Sequence, residues 1–565
     1  MRAHVAVSRI IALVSIVLLL PLTALAQSAT PSTSKNVDWP MYGNDIGAMH
    51  YQNLDQINPS NVSQLQPAWI LHTGVAMNIG ASFENQPIVT DGMMFVSTGH
   101  DQVLALDPAT GAIKWTYDPT DMPPINDLPI CCGQDNRGVA VGDGKVFMAR
   151  LDATLVALDE QTGKVLWNTP VADWQSGYAE TMAPLYIDNE VIVGSSGAEM
   201  EVRGFVAAYD AKTGQQLWRF LTVPGPGHVG HDTWAGNSWL TGGATVWDSP
   251  TADPKLGLVY FSTANASPDY DGSRRAGDNL FAASIVALNY KTGKLAWYYQ
   301  EVHHDIWDYD GPEPTLLFDF VKDGKTTPAI GHSNKAGFYF ILDRRTGKPL
   351  IPIDEVAVST SPSWQHASPT QPQPTTGYEL VPHTVNPKDV PAGMTAASMW
   401  TPPREDFVVI NPGPSGGPQW PPAAYSPRTK YVYVPAGGYM PFAYEANPNY
   451  PENTTGSGGT NVGVKADVQY GLLDAVDTTT GKIAWQVKTD WRTISGVGVA
   501  GDLVFFGRSN GEFDAFDAKT GKLLWSWNNP TDEPHVGGAN GSPAIYMVDG
   551  REYVVLAFGG NETAR

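Results

Sequence analysis

Only two cysteines occur in 565 residues, and they are neighbours: Cys131 and Cys132 open the stretch CCGQDNRG at 131–138. Residue chemistry alone leaves two readings open. One is a pair of inert buried thiols; the other is a disulfide between adjacent residues. Consecutive Cα atoms lie about 3.8 Å apart across a trans peptide, while the usual disulfide window begins near ~4.4 Å. A bridge here would therefore close a small, strained ring. It would add little through chain entropy, and strain of that kind collects at functional sites. The compartment bears on the choice. The chain opens with MRAHVAVSRIIALVSIVLLLPLTALAQS, in which Arg2, His4 and Arg9 precede an apolar run and Ala24-Leu25-Ala26 forms a small-x-small cleavage site. The expectation is a secretory signal over 1–26, cut before Gln27, then a flexible segment 27–37. The mature protein is then periplasmic or secreted, where disulfides persist. No other stretch is long and apolar enough to span a bilayer.

The elements that would carry such a site are written in a repeat. Six segments follow A-x-D-x-x-T-G-x-x-x-W with an occasional Asn for Asp, ending at Trp115, Trp167, Trp218, Trp297, Trp485 and Trp525. A degenerate copy ends at Leu350 and half a copy at Trp69. Alternating apolar residues before the Asp suit a strand with one buried face. Asp-x-x-Thr-Gly is a tight turn, the Asp capping amides and the Gly free to take positive φ. The Trp closes the returning strand, where its flat ring packs between sheets. Four strands per unit of about 40–50 residues is the period of a propeller blade. The expected fold is all-β: one eight-bladed β-propeller with tryptophan-docking repeats over 38–565, the N-terminal half-copy closing the ring. A Pro-rich surface insertion is expected around 351–405. Two separate β domains are the rival arrangement.

With CCGQDNRG, GGATVW (242–247), GSSGAE (194–199), FSTANASPDYDG (261–272) and HHDIWDYDG (303–311) added to the repeat, the chain resembles the quinoprotein alcohol dehydrogenases, which use pyrroloquinoline quinone (PQQ). The resemblance runs from about residue 38 to 560. It implies a Cys131–Cys132 disulfide on one face of the quinone and Trp247 on the other, with Thr245 in contact. Arg137 would stand beside the quinone oxygens. Glu84, Thr181, Ser196, Gly197 and Ala198 would form the polar rim, as a flat quinone needs two apolar faces and a polar edge. Lys335, Gln419 and Trp420 fall where relatives carry further cofactor contacts. Three departures stand out: Gln419-Trp420 replaces Asn-Trp, Ile494-Ser495 stands where methanol dehydrogenases show a Trp over the substrate, and Gly133 replaces an acidic residue after the cysteines.

The resemblance also implies a metal site of Glu199, Asn265, Asp308 and Asp310. All are oxygen donors, which select a hard cation. Asp310 is the extra carboxylate of the lanthanide-dependent relatives, so the ion is a lanthanide or Ca2+. His303 and His304 are expected at the rim rather than on the metal. Asp308 would act as general base and Arg137 and Lys335 would stabilise developing negative charge. The implied reaction oxidises alcohols to aldehydes. No C-x-x-C-H occurs, so the electrons are expected to pass to a separate carrier such as a soluble cytochrome c. The formal charge of −22, from 57 acidic and 35 basic residues, argues against nucleic acid and for a basic partner. The resemblance leaves room for a homodimer. Two other readings stand: a PQQ-dependent sugar or polyol dehydrogenase, towards which NASPDYDG and HHDIWDYD lean, and a non-catalytic propeller scaffold, which would not need these residues.

Overall fold

The computed structural model describes residues 35–75, 82–375, 379–449, 456–466, 469–490, 492–528 and 537–559. The signal and its cleavage point lie outside them. The described residues are all-β, and their only helical pieces are three-residue 3-10 turns. No helix among them is long and apolar enough to cross a membrane.

Each full repeat folds as an antiparallel four-stranded sheet in up-and-down order. The first sheet runs from Ile88–Thr90 to Ile113–Tyr117, and the second from Ala140–Gly142 to Val165–Pro170. The next three begin at Leu185–Ile187, Thr251–Asp253 and Leu316–Lys322. A further sheet joins Ala424–Ser426, Tyr431–Tyr439, Tyr470–Asp477 and Lys482–Thr489. In the next, Tyr51–Gln52 adds in parallel beside Val497–Ala500. Last comes the hairpin Ala544–Val548 with Arg551–Val555, bridged by Val37 at Met547. First strands of neighbouring sheets pack side by side. Ala140–Gly142 meets Ile88–Thr90 and Leu185–Ile187, and Ala544–Val548 meets both Val497–Ala500 and Ile88–Thr90. Burial falls outward across a sheet: Phe205–Asp210 is buried except at its end, whereas Gln216–Leu221 is largely exposed.

The turn motif shows why its residues are needed. Asp159 Oδ1 accepts the Thr162 N–H at 2.9 Å and the Thr162 hydroxyl at 2.6 Å. Gly163 has φ +69°, and a Cβ there would lie 2.5 Å from the Trp115 ring. The Trp115 Nε1–H donates to Glu160 O at 3.0 Å. The Trp115 indole thus lies flat on the turn glycine of the next repeat and bonds its backbone. Trp69 on Gly111, Trp167 on Gly214, Trp218 on Gly293, Trp297 on Gly347 and Trp485 on Gly521 repeat the contact.

The Pro-rich insertion carries strands of its own. Ile353–Ala357 and Thr370–Pro374 form a hairpin, and Thr395–Ala396 and Val408–Ile410 join Phe442–Ala446 and Gly459–Gly463 in a sheet. The excursion therefore extends beyond 405 and takes in part of 440–463. Its prolines fit because both strands of a two-stranded hairpin are edges, where a missing N–H is harmless.

Strand parity decides where chemistry gathers. In an up-and-down sheet, the turn between third and fourth strands lies at one end. The loop between second and third strands, and the connection to the next sheet, lie at the other. Every motif singled out for chemistry falls on those second kinds of loop. Glu84, Cys131, Thr181, Trp247, Asp308 and Gln419 precede first strands, whereas Glu199, Asn265 and Lys335 follow second strands.

Candidate functional site

Residues 242–247 stitch the site together. Gly243 N–H donates to Val202 O at 3.0 Å and Val246 N–H to Ser195 O at 2.8 Å, fixing the loop that carries Glu199. On the other side, Ala244 N–H donates to Asn265 O and Ala264 N–H to Thr245 O, both at 2.8 Å, fixing Asn265. Trp247 follows directly. Its Nε1–H donates to Asp310 Oδ2 at 3.2 Å, and its carbonyl accepts from Thr181 Oγ1 at 3.2 Å and Arg137 Nη1 at 3.3 Å.

Around Trp247 two charged clusters meet. The first is built on Arg137, whose guanidinium carbon lies 4.8 Å from the Trp247 ring centroid. Its Nη2 is 2.6 Å from Glu84 and 3.5 Å from Asp135. Burial opposes its charge, but Glu84, Asp135 and Asp248 outweigh that and hold it protonated. Beside it, burial pushes the Asp248 carboxyl up to about 7 against the pull of Arg137.

The second cluster is acidic. Lys335 Nζ lies 2.7 Å from Asp308 Oδ1 and 2.6 Å from Asp310 Oδ1. Desolvation works against the ammonium, but Asp308 and Asp310 hold it above its ordinary range. Burial lifts Asp308 well above the carboxylate range; Lys335 opposes this and Asp310 and Asp269 add to it. Burial likewise raises Glu199, with Asp310 contributing. Asp269 is pushed up to about 8 by burial and then by Glu199. The Glu199 carboxylate also lies within 4.8 Å of both sulfurs of the Cys131–Cys132 disulfide.

The loop bearing Asp308 is held open by Asp305, whose oxygens accept the N–H groups of Trp307 at 3.0 Å and Tyr309 at 2.9 Å. Asp308 between them has φ +61°, a conformation that costs about 1–2 kcal/mol for a residue with a Cβ. Arg275, fully buried, ties this loop to the Asn265 loop by donating to Asp305 O at 2.6 Å and Pro268 O at 2.8 Å.

The structure thus joins Glu84, Arg137, Thr181, Trp247, Asp310, Lys335 and Asp308 into one network. Lys335 stands between the two aspartates. Ser196 instead donates to Ala179 O, and Gly197, with φ +110°, packs against Gly177 O where no Cβ fits. Ala198 is held by Ser267, which donates to its carbonyl. Gln419 donates to Pro414 O, and Trp420 lies 6.0 Å from Arg492. His304 is buried, its ring nitrogens 2.6 and 2.7 Å from the carbonyls of Gly277 and Gln365, and His303 lies between Gln300 and Glu355. Sequence reasoning missed Asp269, Asp305 and Arg275. The one signal was position: Asp269 and Asp305 sit four and three residues from Asn265 and Asp308, the spacing of side chains that cap turns.

The donor types suit a hard cation: with Asp269 ionised beside them, Glu199, Asp308 and Asp310 leave three negative charges that Lys335 does not balance. Among the described Asp, Glu, His and Cys residues, the three whose ligand atoms gather within 4.8 Å of one another are Cys131, Cys132 and Glu199, and Lys335 Nζ stands between Asp308 and Asp310. The site also fits a polar-edged ring. Thr245 is fully buried yet its Oγ1 has no hydrogen-bond partner, and both polar atoms of the Asn334 amide are likewise orphaned. Buried polar groups are normally paired, so these are donors and acceptors awaiting a ligand.

Comparison with known proteins meets this geometry. Residues 39–469 match the family model described as PQQ, the glucose/ethanol/alcohol dehydrogenase β-propeller domain. Residues 451–565 match that of the outer membrane protein assembly factor BamB. The chain is 36% identical to the quinohemoprotein alcohol dehydrogenase of Comamonas testosteroni, over 94% of this chain and 73% of the relative. It is 34% identical to the lanthanide-dependent methanol dehydrogenase of Methylacidiphilum fumariolicum, over 92% and 84%. A solved europium-containing methanol dehydrogenase superposes with a TM-score of 0.76 at 31% identity, covering 92% of this chain and 89% of that one.

Proposed function

Because the chain belongs to the PQQ-dependent quinoprotein alcohol dehydrogenase family, we propose that it is an exported eight-bladed propeller that oxidises alcohols to aldehydes and passes the electrons to a separate carrier such as a cytochrome c. The observation that carries the reading is the Trp247–Asp310–Lys335–Asp308 network beside a vicinal disulfide. A scaffold has no use for such a costly buried charge cluster.

PQQ, when bound, accepts the equivalent of a hydride and supplies the redox chemistry. Cys131, Cys132, Trp247, Thr245 and Arg137 are the residues that would hold it, with Glu84 and Thr181 keeping Arg137 and Trp247 in place. Glu199, Asn265, Asp308 and Asp310 would hold the cation, which supplies Lewis acidity. Asp308, a fifth exposed at its side chain while Asp310 is almost wholly buried, is the carboxylate within reach of an entering alcohol. Its work is to take the hydroxyl proton. Lys335 keeps a positive charge within 2.7 Å of that carboxylate and holds Asp308 and Asp310 together.

The cation in this reading is a lanthanide in preference to calcium. Several anionic oxygens in a buried pocket of low dielectric are better balanced by a trivalent ion. The experiment is reconstitution of metal-free protein with PQQ and either La(III) or Ca2+, using a panel of alcohols and polyols with an artificial electron acceptor. La(III) is expected to support the higher rate, and Asp310→Ala to diminish the La(III) rate more than the Ca2+ rate. Full activity with Ca2+ and none with La(III) would make this a calcium enzyme.

A further inference from the structure

Asn265 is the one neutral side chain in the cation site, and an amide can turn either end to a metal. Oxygen is the end a hard cation takes; the NH2 end repels it. In this chain the choice is made by a neighbour. Asn265 Nδ2 donates to Asp269 Oδ1 at 2.7 Å and to Ala266 O at 3.3 Å. Both N–H groups are thereby used, and the Oδ1 atom accepts no hydrogen bond among the described residues. Once a cation has displaced the proton from Asp269, the reversed amide would set its oxygen against the carboxylate, oxygen to oxygen at hydrogen-bond distance. Asn265 and Asp269 are both buried, 1% and 5% exposed, so no bulk water competes for either.

Asp269 is itself fixed from three sides. Ser267, two residues earlier, donates to Ala198 O, next to Glu199. Pro268 O and Asp305 O are clasped by the single Arg275 Nη2, which couples the loop to that of Asp308. Tyr270 N–H donates to Ser457 O at 2.8 Å. A loop tied to both other ligand loops is placed to transmit their geometry rather than to move.

We propose that Asp269 is a positioning residue of the cation site: it locks the Asn265 amide so that its oxygen faces the ion. The inference rests on the cation reading above and assigns Asp269 a role through Asn265. It predicts the same direction of change from two substitutions. Asp269→Ala removes the acceptor, and Asp269→Asn, which can offer an NH2 as readily as an oxygen, no longer forbids the reversed amide; both release the lock.

The test uses the full chain carrying PQQ and stripped of metal. La(III) affinity is read by calorimetry, and the number of waters on bound Eu(III) by its luminescence lifetime in H2O and D2O. Asp269→Ala is expected to weaken La(III) binding by about 10- to 100-fold and to admit about one more water to Eu(III), the freed amide no longer supplying its oxygen. Asp269→Asn should move both readouts in the same direction, by no more than Asp269→Ala does. In an Asn265→Ala background, Asp269→Ala should add nothing. An unchanged water count in Asp269→Ala would overturn the proposal in favour of charge alone, and additive losses with Asn265→Ala would overturn it in favour of charge or direct ligation. If Asp269→Ala fails to fold, the pair Asp269→Asn and Asn265→Ala/Asp269→Asn still decides. A first variant with weakened binding and an added water, and a second that matches Asn265→Ala, support the lock, and any other pattern overturns it. Failure of the unaltered protein to bind La(III) would overturn the cation reading itself, a result distinct from normal binding by Asp269→Ala.

Discussion

At the hairpin turns, Asp159 and Asp210 stand at the surface. Bonds from Thr162 and Thr213 hydroxyls, with neighbouring backbone amides, hold their carboxyls below the usual range. At the opposite end of the strands, burial lifts Asp308, Asp269 and Glu199 above it. The same side-chain group is used for opposite ends. A turn aspartate is satisfied by its own four-residue loop and needs nothing else, so the motif can be copied around the protein. A pocket aspartate is left incompletely satisfied by the fold, and its remaining demand is chemical: a proton, an ammonium or a cation. The repeats build a scaffold of locally contented turns. Buried carboxyls occur elsewhere too, as at Asp101, Glu180 and Asp474, but Asp308, Asp310, Asp269 and Glu199 are gathered in one cluster of connections.

The largest expected effect separates the two classes directly. Asp308→Asn is nearly isosteric but cannot take a proton, so turnover should fall by about 10^2- to 10^4-fold while PQQ content, measured by absorbance, stays level. A near-normal rate would move the base elsewhere and blur the contrast. On the scaffold side, Gly163→Ala should cost about 2–4 kcal/mol, because it combines a positive φ with a clash against the Trp115 ring. Calorimetry should show the drop in Tm, with the rate per folded molecule unchanged. Stability without loss would mean that the indole does not need its glycine.

The pocket should also announce itself in the pH dependence of stability. Asp269 rises from its ordinary 3.8 to about 8, and Asp308 and Glu199 move the same way. The folded, metal-free protein then retains protons that the unfolded chain has released across that window. Raised carboxyls contribute least at high pH, so stability of the metal-free form should fall as pH climbs from about 4 towards 8. A cation that displaces these protons reverses the trend, each proton adding about 1.4 kcal/mol per pH unit. The Tm gain on adding La(III) should therefore be larger at pH 8 than at pH 5. A gain independent of pH would show that the carboxyls are already ionised.

The two regions also differ in how far the sequence reveals them. The turn motif is legible because all its bonds lie within four residues and recur in register, so Asp159, Thr162 and Gly163 can be read without a fold. Adjacency draws notice to Cys131 and Cys132 but leaves two readings open; the disulfide that the structure contains was implied by the resemblance. The pocket is not local. That Lys335 sits between Asp308 and Asp310 depends on two separate connections at one end of the sheet that begins at Leu316–Lys322, about 25 residues apart in the chain. Asp269 and Asp305 look like ordinary loop aspartates, since their partners are an amide side chain and backbone N–H groups with no signature of their own. The strands inside the Pro-rich insertion were hidden for a related reason: pairing with Phe442–Ala446 is set by tertiary contact, and local composition speaks against it.

The smallest expected effect tests whether turn aspartates are purely structural. Asp517 repeats the pattern of Asp159: its Oδ1 accepts the Thr520 N–H at 2.9 Å and hydroxyl at 2.7 Å. Removing one such cap typically costs about 1 kcal/mol, and Gly521 and Trp485 would still hold the turn from the neighbouring repeat. Asp517→Ala should thus lower Tm by a few degrees at most, leaving La(III) affinity and turnover as they were. The loss should also be local, because among the described residues the sheet that bears Asp517 shares no side-chain bond with Asp308 or Glu199. If Asp517→Ala instead weakened cation binding, the two ends of the strands would be coupled. The division between a self-sufficient scaffold and a charge-bearing pocket would then have to be given up.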